Sequence, residues 1–540
     1  MKKKIDHVLK SISGDPTASA IVSKIPNIDY QYNGAFKLAA KAGMEKFQYA
    51  LQIAGKVTTC SLLITGDATE RGFVNIRVQN GMLEELDVKP SKTLSGRYLL
   101  DFGGPNIAKP LHVGHLRSLV IGDSLTRILK ACGAQVITDV HFGDWGLQMG
   151  QIISEIQISG KMPVSADELE GLYTRAVINY REMEGRSEIA RMVTKRLQAG
   201  MEPETSIWKQ IRDISITDQL EVFDELGIKF DMYLGESDSE KFYDATYHRF
   251  SEQGLIEESD GALTIDVNSE GKSELPPVIF KKTDGSSLYA TTDLMTLEAR
   301  QSMADKVIYV ADARQQLHFE QIFRAANKAG MSFKTLDHVA FGTVKSPNDG
   351  KAFKTRSGGT VHLRDLIDEA AKVYEEKQKD KDPVLAREMA INAIKFWDLS
   401  QPVKTGYIYD PEDMLASTGF TAPYVLYSVV RAKHILDKAE DPAVRSYTFK
   451  VRTNPERDLA FLLNCVPDTV EKAADELEPY HITQLVFELA KEWGRFYAGE
   501  NIVTEPRDEV RHSRLKLVAT YHDTMVYFLD LLGLTIPEKM

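Results

Sequence analysis

The sequence of 540 residues is poor in cysteine, since it has only Cys60, Cys132 and Cys465, which stand far apart. Isolated thiols build neither a disulfide framework nor a thiolate zinc cluster, because both need several cysteines at suitable spacings. The sequence also lacks any run of about 18 apolar residues, the length needed to span a bilayer. Its basic N-terminus, "MKKKIDHVLKSISGD", has no continuous apolar core of the kind found in a secretory signal. We therefore expect a cytoplasmic protein with no membrane segment.

Positive charge is also in short supply: 66 basic residues face 78 acidic ones, which gives a net charge of −12. This balance argues against a protein that coats nucleic acid over its whole surface, although it is compatible with a local basic face. Hydrophobic residues make up 43% of the chain, which is enough for large cores. The length predicts about three or four domains of roughly 150 residues each.

The hydrophobic pattern divides the chain into three regions. Residues 1–96 predict a small α/β unit that ends near the polar linker "DVKPSKTLSGR". Residues 97–400 alternate strands with helices, which predicts an α/β domain around a parallel sheet, with a helical insertion at about 151–260. Residues 401–540 have helical spacing and predict an all-α domain. The strand candidates after the first region are "RYLLDF", "AQVITDVHFGD", "ALTIDV", "PVIFKK", "KVIYVAD" and "HVAFGTV".

Two histidines bracket Val-Gly in "NIAKPLHVGHLRSLVIGD", Asn106 to Asp123, where a polar loop becomes a periodic helix that Gly133 would end. Three interpretations compete: a metal site, a phosphate site, or an ordinary helix start with incidental histidines. The metal interpretation is weakly supported. His112 and His115 are three residues apart, but no Glu lies between them as a base and no third ligand is nearby.

The phosphate interpretation explains more of the residues. A helix N-terminus offers unpaired N–H groups and a partial positive charge to an anion, and Gly114 lets a base or a phosphate approach the backbone closely. Histidines donate hydrogen bonds to phosphoryl oxygens whose charge grows during displacement, and Lys109 adds a cation. Neither GxGxxG nor GxxxxGK[ST] is present, so the stretch is neither a dinucleotide fingerprint nor a Walker loop. On this stretch alone, the ordinary helix start stays open.

A longer stretch of the chain narrows the choice. "HVGH" after "PNIAKP" resembles the HIGH signature of class I aminoacyl-tRNA synthetases, and the whole string resembles the arginyl-tRNA synthetase form. The resemblance implies that residues 97–400 form a nucleotide-binding, Rossmann-like catalytic domain. The N-terminal region resembles the family's additional tRNA-binding domain, and the helical C-terminus resembles its anticodon-binding domain. Further matches follow in the family's order: "DGSSLYATTDL" at 284–294, "YVADARQQLHFEQ" at 309–321, "GKAFKTRSGGTV" at 350–361 and "TAPYVLY" at 421–427.

The resemblance implies a function. Members of the family attach L-arginine to tRNA(Arg) with ATP, through an arginyl-adenylate, and release AMP and pyrophosphate, and tRNA is needed even for activation. The resemblance implies Mg²⁺ bound with ATP and no dedicated metal site in the protein, and we expect a monomer. Two other functions stay open: a small-molecule nucleotidyltransferase that uses no tRNA, and an inactive paralogue that only binds tRNA or a protein. The C-terminal helices argue against the first and the intact motif residues against the second.

The resemblance also implies roles for single residues. A guanidinium is always charged and planar, so its pocket needs a carboxylate and flat hydrogen-bonding neighbours. Tyr289 and Asp293, four apart, share one face of a helix, although such a pair is also common as a cap or on a surface; His318 is compatible with a satisfied core histidine. The residues implied as catalytic are His112, His115 and Lys109; as ATP-binding, His112, Gly114, His115, Val344, Lys354 and Arg356; as arginine-binding, Asn106, Tyr289, Asp293 and Gln315.

One segment departs from the family's pattern. The KMSKS signature supplies a lysine that steadies the leaving pyrophosphate, but the matching "AFKTR" has Ala352 and Thr355 at the two lysine positions. Lys354 and Arg356 are displaced by one position in opposite directions, so either residue can supply the charge, but not with the usual geometry. Because the charge on the leaving group still needs a cation, we predict that Lys109 substitutes for the missing lysine, with a solvated loop lysine as the alternative.

The protein must also hold tRNA although it is acidic overall. Aromatic side chains that stack on bases and local Lys/Arg stripes are the usual solution. Tyr407 and Tyr409 in "KTGYIYDPED" are candidates for such stacking, and core packing is the alternative for both.

Overall fold

A computed structural model gives the fold of the chain. It describes residues 1–23, 25, 27–60, 64–86, 88–90, 92–268, 273–283, 289–347, 350, 351, 353 and 361–540. Within these ranges, no helix combines the length and the apolar character needed to cross a bilayer. One continuous apolar core runs from the N-terminal region through the centre of the chain to the C-terminal helices, and a second core lies on the other face of the central sheet.

The N-terminal region folds around an antiparallel sheet with the strand order β1-β2-β4-β3. Val74, Ile76 and Val78 are buried while the residues between them face outward, so the predicted strand in "GFVNIRVQNG" is confirmed. The elements are α1 (Lys2–Ser13), β1 (Ile21–Val22), β2 (Tyr30–Tyr32), α2 (Gly34–Lys41), α3 (Lys46–Cys60), β3 (Ile64–Ala68), β4 (Val74–Val78) and α4 (Asn80–Leu83).

The central sheet is parallel, as predicted, with the order β11-β10-β5-β6. Two of the strand candidates, "RYLLDF" and "KVIYVAD", coincide with β5 and β10, because both are nearly continuous apolar runs of the kind a sheet covered on both faces requires. Their carboxyl ends face the N-terminus of α5. These elements are β5 (Arg97–Phe102), α5 (Val113–Ala131), β6 (Gln135–Asp139), β10 (Lys306–Asp312) and β11 (Thr335–Phe341).

A helical segment lies between β6 and β10 of the central sheet. It is followed by a small antiparallel sheet, β7-β8-β9, and here one expectation was wrong: "ALTIDV" and "PVIFKK" form β8 and β9 rather than strands of the parallel sheet. Asp260 and Gly261, both at positive φ (49° and 76°), turn the chain directly back on itself. The elements are α6 (Leu147–Ser159), α7 (Ala166–Glu182), α8 (Arg186–Gln198), α9 (Glu204–Glu225), α10 (Glu236–Ser239), α11 (Tyr243–Glu252), β7 (Ile256–Ser259), β8 (Ala262–Ile265), β9 (Val278–Lys281) and α12 (Tyr289–Arg300).

The rest of the chain is mainly helical, but the expectation of an all-α region beyond residue 400 misses one short strand. β13 pairs in parallel with β12 of the preceding region. The elements are α13 (Gln316–Lys328), β12 (Val344–Lys345), α14 (Leu363–Lys377), α15 (Pro383–Leu399), β13 (Tyr407–Ile408), α16 (Pro411–Met414), α17 (Ala422–Ala439), α18 (Asn454–Asn464), α19 (Val466–Glu476), α20 (Tyr480–Gly499) and α21 (Asp508–Leu531).

Burial around β13 corrects the interpretation of two tyrosines as RNA-stacking residues. Tyr407 and Tyr409 are 6% and 1% exposed, and the hydroxyl of Tyr409 donates a hydrogen bond to the carbonyl oxygen of Leu366 at 2.6 Å. Both rings therefore pack in the core, because β13 turns them inward against neighbouring elements.

The N-terminal region packs against the C-terminal helices. Arg457 of α18 is buried and donates two hydrogen bonds to the carboxylate of Asp29, at 3.0 and 2.6 Å, and a third to the carbonyl oxygen of Val78 at 2.7 Å. The rings of Tyr30 and Phe461 meet edge to face at 5.5 Å. The domain boundaries stay a prediction, but the first and last regions share a buried interface.

Candidate active site

A cavity of about 570 Å³ opens where the parallel strands end and α5 begins. This is the edge of a parallel sheet at which ligands bind in such folds. Val344 is buried in β12, and Lys109 and Val344 lie outside the cavity lining. Lys354 and Arg356 fall outside the described residues. The predicted site residues that line the cavity are Asn106, His112, Gly114, His115, Tyr289, Asp293 and Gln315.

Two imidazoles cap the N-terminus of α5. Nδ1 of His112 accepts a hydrogen bond from the backbone N–H of Gly114 at 3.0 Å, and Nδ1 of His115 accepts one from the N–H of His112 at 3.1 Å. The two rings lie 4.0 Å apart. Because each Nδ1 is an acceptor, a neutral ring carries its proton on Nε2, and among the described residues no acceptor pairs with that N–H. We call His112, Gly114 and His115 the histidine end of the cavity.

Both imidazoles are neutral at physiological pH. Burial lowers the pKa of His112 to about 4, and the charges of Lys109 and His362 add to the effect. Burial also lowers the pKa of His115 well below its usual range, with His112 adding to it. The histidine end therefore offers hydrogen-bond donors without side-chain charge, and positive potential has to come from the helix N-terminus and from Lys109.

Glycines are required at two positions around this end. A Cβ on Gly114 would lie 2.7 Å from Cε1 of His112, so any side chain there would displace the imidazole. A Cβ on Gly143 would lie 2.0 Å from Oδ1 of Asn106. Both contacts are too close for a carbon atom, so these glycines let His112 and Asn106 keep their positions.

Carboxylates gather at the other side of the cavity. Asp293 and Tyr289 lie one turn apart in α12, as their spacing predicted, and both line the cavity. Oδ2 of Asp293 is 2.5 Å from Nε2 of His318. Burial alone would lower the pKa of His318, but the hydrogen bond and the charge of Asp293 outweigh it and raise that pKa. His318 is thus a partner of Asp293 rather than an apolar core residue.

Glu236 is the functional candidate that the sequence analysis missed. It begins α10, is 6% exposed and lines the same cavity. Its Oε2 accepts a hydrogen bond from the backbone N–H of Trp145 at 3.3 Å. Burial raises the pKa of Glu236 to about 8; the charge of His141 lowers it, while the carboxylates of Asp293 and Asp144 raise it. We call Glu236 and Asp293 the acidic end; no local pattern around Glu236 marks it as a site residue.

A buried charge network lies beneath the cavity. Nη2 of Arg300 donates to Oδ2 of both Asp101 and Asp139 at 2.6 Å, and its Nη1 donates to the hydroxyl of Tyr309 at 3.0 Å. Asp101, Asp139 and His141 are grouped closely enough to suggest a metal site. The Arg300 guanidinium already bridges the two carboxylates and offsets one of their two negative charges.

Family models match nearly the whole chain. The catalytic domain of class I tRNA synthetases (R) matches residues 77–411, the DALR anticodon binding domain matches residues 425–540, and the arginyl tRNA synthetase N terminal domain matches residues 1–78. The matches follow one another along the chain in the order that the sequence motifs implied.

Individual relatives agree with these models. The chain is 34% identical to an arginine–tRNA ligase of Agathobacter rectalis, covering 95% of the chain and 94% of the relative, and 36% identical to one of Francisella tularensis subsp. tularensis with the same coverage. Among solved structures, it is similar to the arginyl-tRNA synthetase of Plasmodium falciparum, with a TM-score of 0.84 at 25% identity over 100% of this chain and 99% of that one. The Thermus thermophilus arginyl-tRNA synthetase, at 21% identity, shares the fold with a TM-score of 0.83 over 100% of both chains.

Proposed function

Because the chain belongs to the family of class I arginyl-tRNA synthetases, we propose that it attaches L-arginine to its cognate tRNA with ATP. In the first step, the carboxylate of arginine attacks the α-phosphorus of ATP, which gives arginyl-adenylate and pyrophosphate. In the second step, a hydroxyl of the terminal ribose of tRNA takes the arginyl group and AMP leaves. The observation that carries this assignment is one cavity with neutral donors at one end and carboxylates at the other.

At the histidine end, ATP enters as its Mg²⁺ complex. The Nε2–H groups of His112 and His115 donate to phosphoryl oxygens. The first N–H groups of α5 are already paired, so the helix contributes the positive potential of its dipole rather than direct hydrogen bonds. Lys109 supplies the cation for the departing pyrophosphate in place of the missing signature lysine. No general base is required, because the attacking carboxylate is already ionised. Catalysis here consists of positioning and charge stabilisation, which is typical of phosphoryl chemistry.

At the acidic end, arginine brings two cationic groups to two carboxylates. We assign Asp293 to the guanidinium, with Tyr289 and Gln315 as neighbours, and Glu236 to the second positive charge. His318 contacts Oδ2 of Asp293, and no hydrogen bond to Oδ1 is present among the described residues, so Oδ1 can accept from the substrate. Asn106 lines the same cavity, which suits a contact with the α-amino or carboxylate group. Lysine or citrulline would leave polar groups unpaired here, so a separate editing site is unnecessary.

Because Tyr407 and Tyr409 are buried, we assign the anticodon loop to a different surface, on the C-terminal helices. The guanidinium of Arg431 lies 4.4 Å over the ring of Tyr427 and 4.6 Å over the ring of Tyr497. These rings are 46% and 40% exposed. Arg431 and Tyr497 also line a second cavity, of about 410 Å³, together with His434 and Lys438. Exposed aromatic rings beside cations are suited to stack on unpaired bases.

Attachment of labelled arginine to bulk tRNA, with and without ATP, tests the function. We expect ATP-dependent acid-precipitable label. A protein that consumed ATP but transferred nothing to tRNA would be a nucleotidyltransferase instead, and one that bound tRNA with no turnover would be an inactive relative. The monomeric state and the cytoplasmic location stay predictions.

A further inference from the structure

The helical insertion holds the loop that precedes α5 through its backbone. Ser215 Oγ accepts a hydrogen bond from the N–H of Ala108 at 2.8 Å, and Nε2 of Gln219 donates to the carbonyl oxygens of Asn106 and Lys109 at 3.1 and 3.0 Å. Ser215 and Gln219 belong to α9 and are 3% and 0% exposed. Ala108 has a φ of 65°, which is unfavourable for a residue with a Cβ and persists only where the surroundings fix it. The backbone at Lys109 is therefore rigid.

A second helix of the insertion holds the side chain of Lys109. Its Nζ lies 4.4 Å from the centroid of the Tyr173 ring on α7, and no carboxylate lies within ion-pair distance of it in the described ranges. An ammonium is attracted to the face of an aromatic ring, but the ring does not neutralise it as a carboxylate would. The charge of Lys109 stays available for an anion. Burial is the main cause of the lowered pKa of His112, and the charge of Lys109 is the second cause.

The face of α7 that carries Tyr173 also contacts the segment on the other side of the histidine end. Glu170, one turn before Tyr173, lies with Oε1 at 3.0 Å from Nε2 of His362. His362 in turn forms an isolated antiparallel bridge with His112. One helix of the insertion thus contacts the segments on both sides of the two imidazoles.

We propose that Tyr173 is a positioning residue for arginine activation: its ring holds the Lys109 ammonium at the histidine end, where the pyrophosphate leaves. This inference rests on the role proposed above for Lys109. A lysine side chain has many rotamers, so without the ring the ammonium would spend less time in the productive position. The loss would appear in kcat for activation and leave the KM for arginine unchanged, because the proposed role of Tyr173 is exerted through Lys109.

The test compares Tyr173→Leu with Tyr173→Phe by ATP–pyrophosphate exchange in the presence of tRNA. We expect Tyr173→Leu to lower kcat about three- to tenfold, the effect of one cation–π contact, and Tyr173→Phe to keep wild-type kcat because it keeps the ring face. In a Lys109→Ala background, Tyr173→Leu should cause no further loss. Tyr180→Leu makes the same change in a half-buried residue of the same helix and serves as the matched control with wild-type kcat.

Each contrary result has its own meaning. A Tyr173→Phe enzyme as slow as Tyr173→Leu would overturn the role of the ring, and multiplied losses in the double variant would show that Tyr173 does not act through Lys109. If Lys109→Ala lowers kcat but Tyr173→Leu does not, only the positioning role fails. If Lys109→Ala itself activates arginine normally, the proposed function of Lys109 fails as well.

Discussion

At the histidine end of the cavity the side chains come from one turn of one helix, whereas at the acidic end they come from segments far apart in the chain. His112 and His115 are fixed by hydrogen bonds to their own helix terminus. Glu236 and Asp293 meet only because α10 and α12 pack together around the ends of the sheet. The electrostatics differ as well: the first end has neutral donors, and the second has two acidic side chains, of which Glu236 has a raised pKa. Substitutions at the two ends should therefore fail in different ways.

The largest effect is expected at the acidic end. Asp293→Asn removes the counter-charge of a partly buried guanidinium, so we expect kcat/KM for arginine to fall by about two to three orders of magnitude, with a raised KM for arginine and an unchanged KM for ATP. ATP–pyrophosphate exchange in the presence of tRNA measures the KM for arginine and the KM for ATP. An unchanged KM for arginine would remove Asp293 from the pocket.

Near the histidine end we expect a smaller effect, on kcat rather than on the KM for arginine. Lys109→Ala should lower kcat for activation about ten- to a hundredfold and leave the KM for arginine as it is, because the cation acts on the leaving group. Lys354→Ala, assayed in parallel, is the matched comparison within the signature segment. Normal activation by Lys109→Ala would return the role to Lys354 and Arg356.

The acidic end should also respond to pH. Burial raises the pKa of Glu236 to about 8, so at pH 7 most of the free enzyme carries this side chain protonated and unable to pair with a cation. Ionisation increases as pH rises, and kcat/KM for arginine should increase by up to about tenfold per unit below pH 8 and then level off. Glu236→Gln should flatten the profile. A wild-type profile that does not change between pH 6 and 8 would contradict this assignment.

The same pKa predicts a change in the stability of the ligand-free protein. The folded state binds the Glu236 proton more tightly than the unfolded state, so this contribution is fully present below the ordinary carboxyl pKa and is lost as pH rises towards 8. The thermal midpoint of Glu236→Gln should therefore fall less than that of wild type between pH 5 and 8. Equal slopes for the two proteins would contradict it.

Deletion of residues 1–95 is expected to have the smallest effect on the two ends of the cavity. The KM for tRNA should rise while the KM for arginine stays the same, because the removed region touches the C-terminal helices rather than the cavity. The sequence suggested a separable module, but the deletion also exposes Arg457 without Asp29, and we expect a lower thermal midpoint. Asp29→Asn separates loss of this ion pair from loss of the whole region. Unaltered use of tRNA by the truncated enzyme would show that the region does not bind tRNA.

The parts of the site that the sequence predicted depend on short-range contacts. The helix that starts at His112, the strands β5 and β10 and the pairing of Tyr289 with Asp293 on one face all follow from spacings of a few residues. The Asp-Gly pair before β8 was also a visible turn signal, and with it the antiparallel sheet could have been predicted. Glu236 carried no such signal, because its role comes from burial beside a carboxylate that is distant in the chain.

By itself, the sequence determined the family, the order of the regions, the parallel sheet and the capped helix that carries two histidines, since motif order, hydrophobic period and capping chemistry are properties of the local chain. Only the tertiary structure decided that Tyr407 and Tyr409 are buried, that His318 pairs with Asp293 and that Lys109 lies over Tyr173. The physical reason is that burial, pKa and ion pairing depend on what lies across the space from a side chain. Those neighbours come from segments whose approach no local pattern specifies.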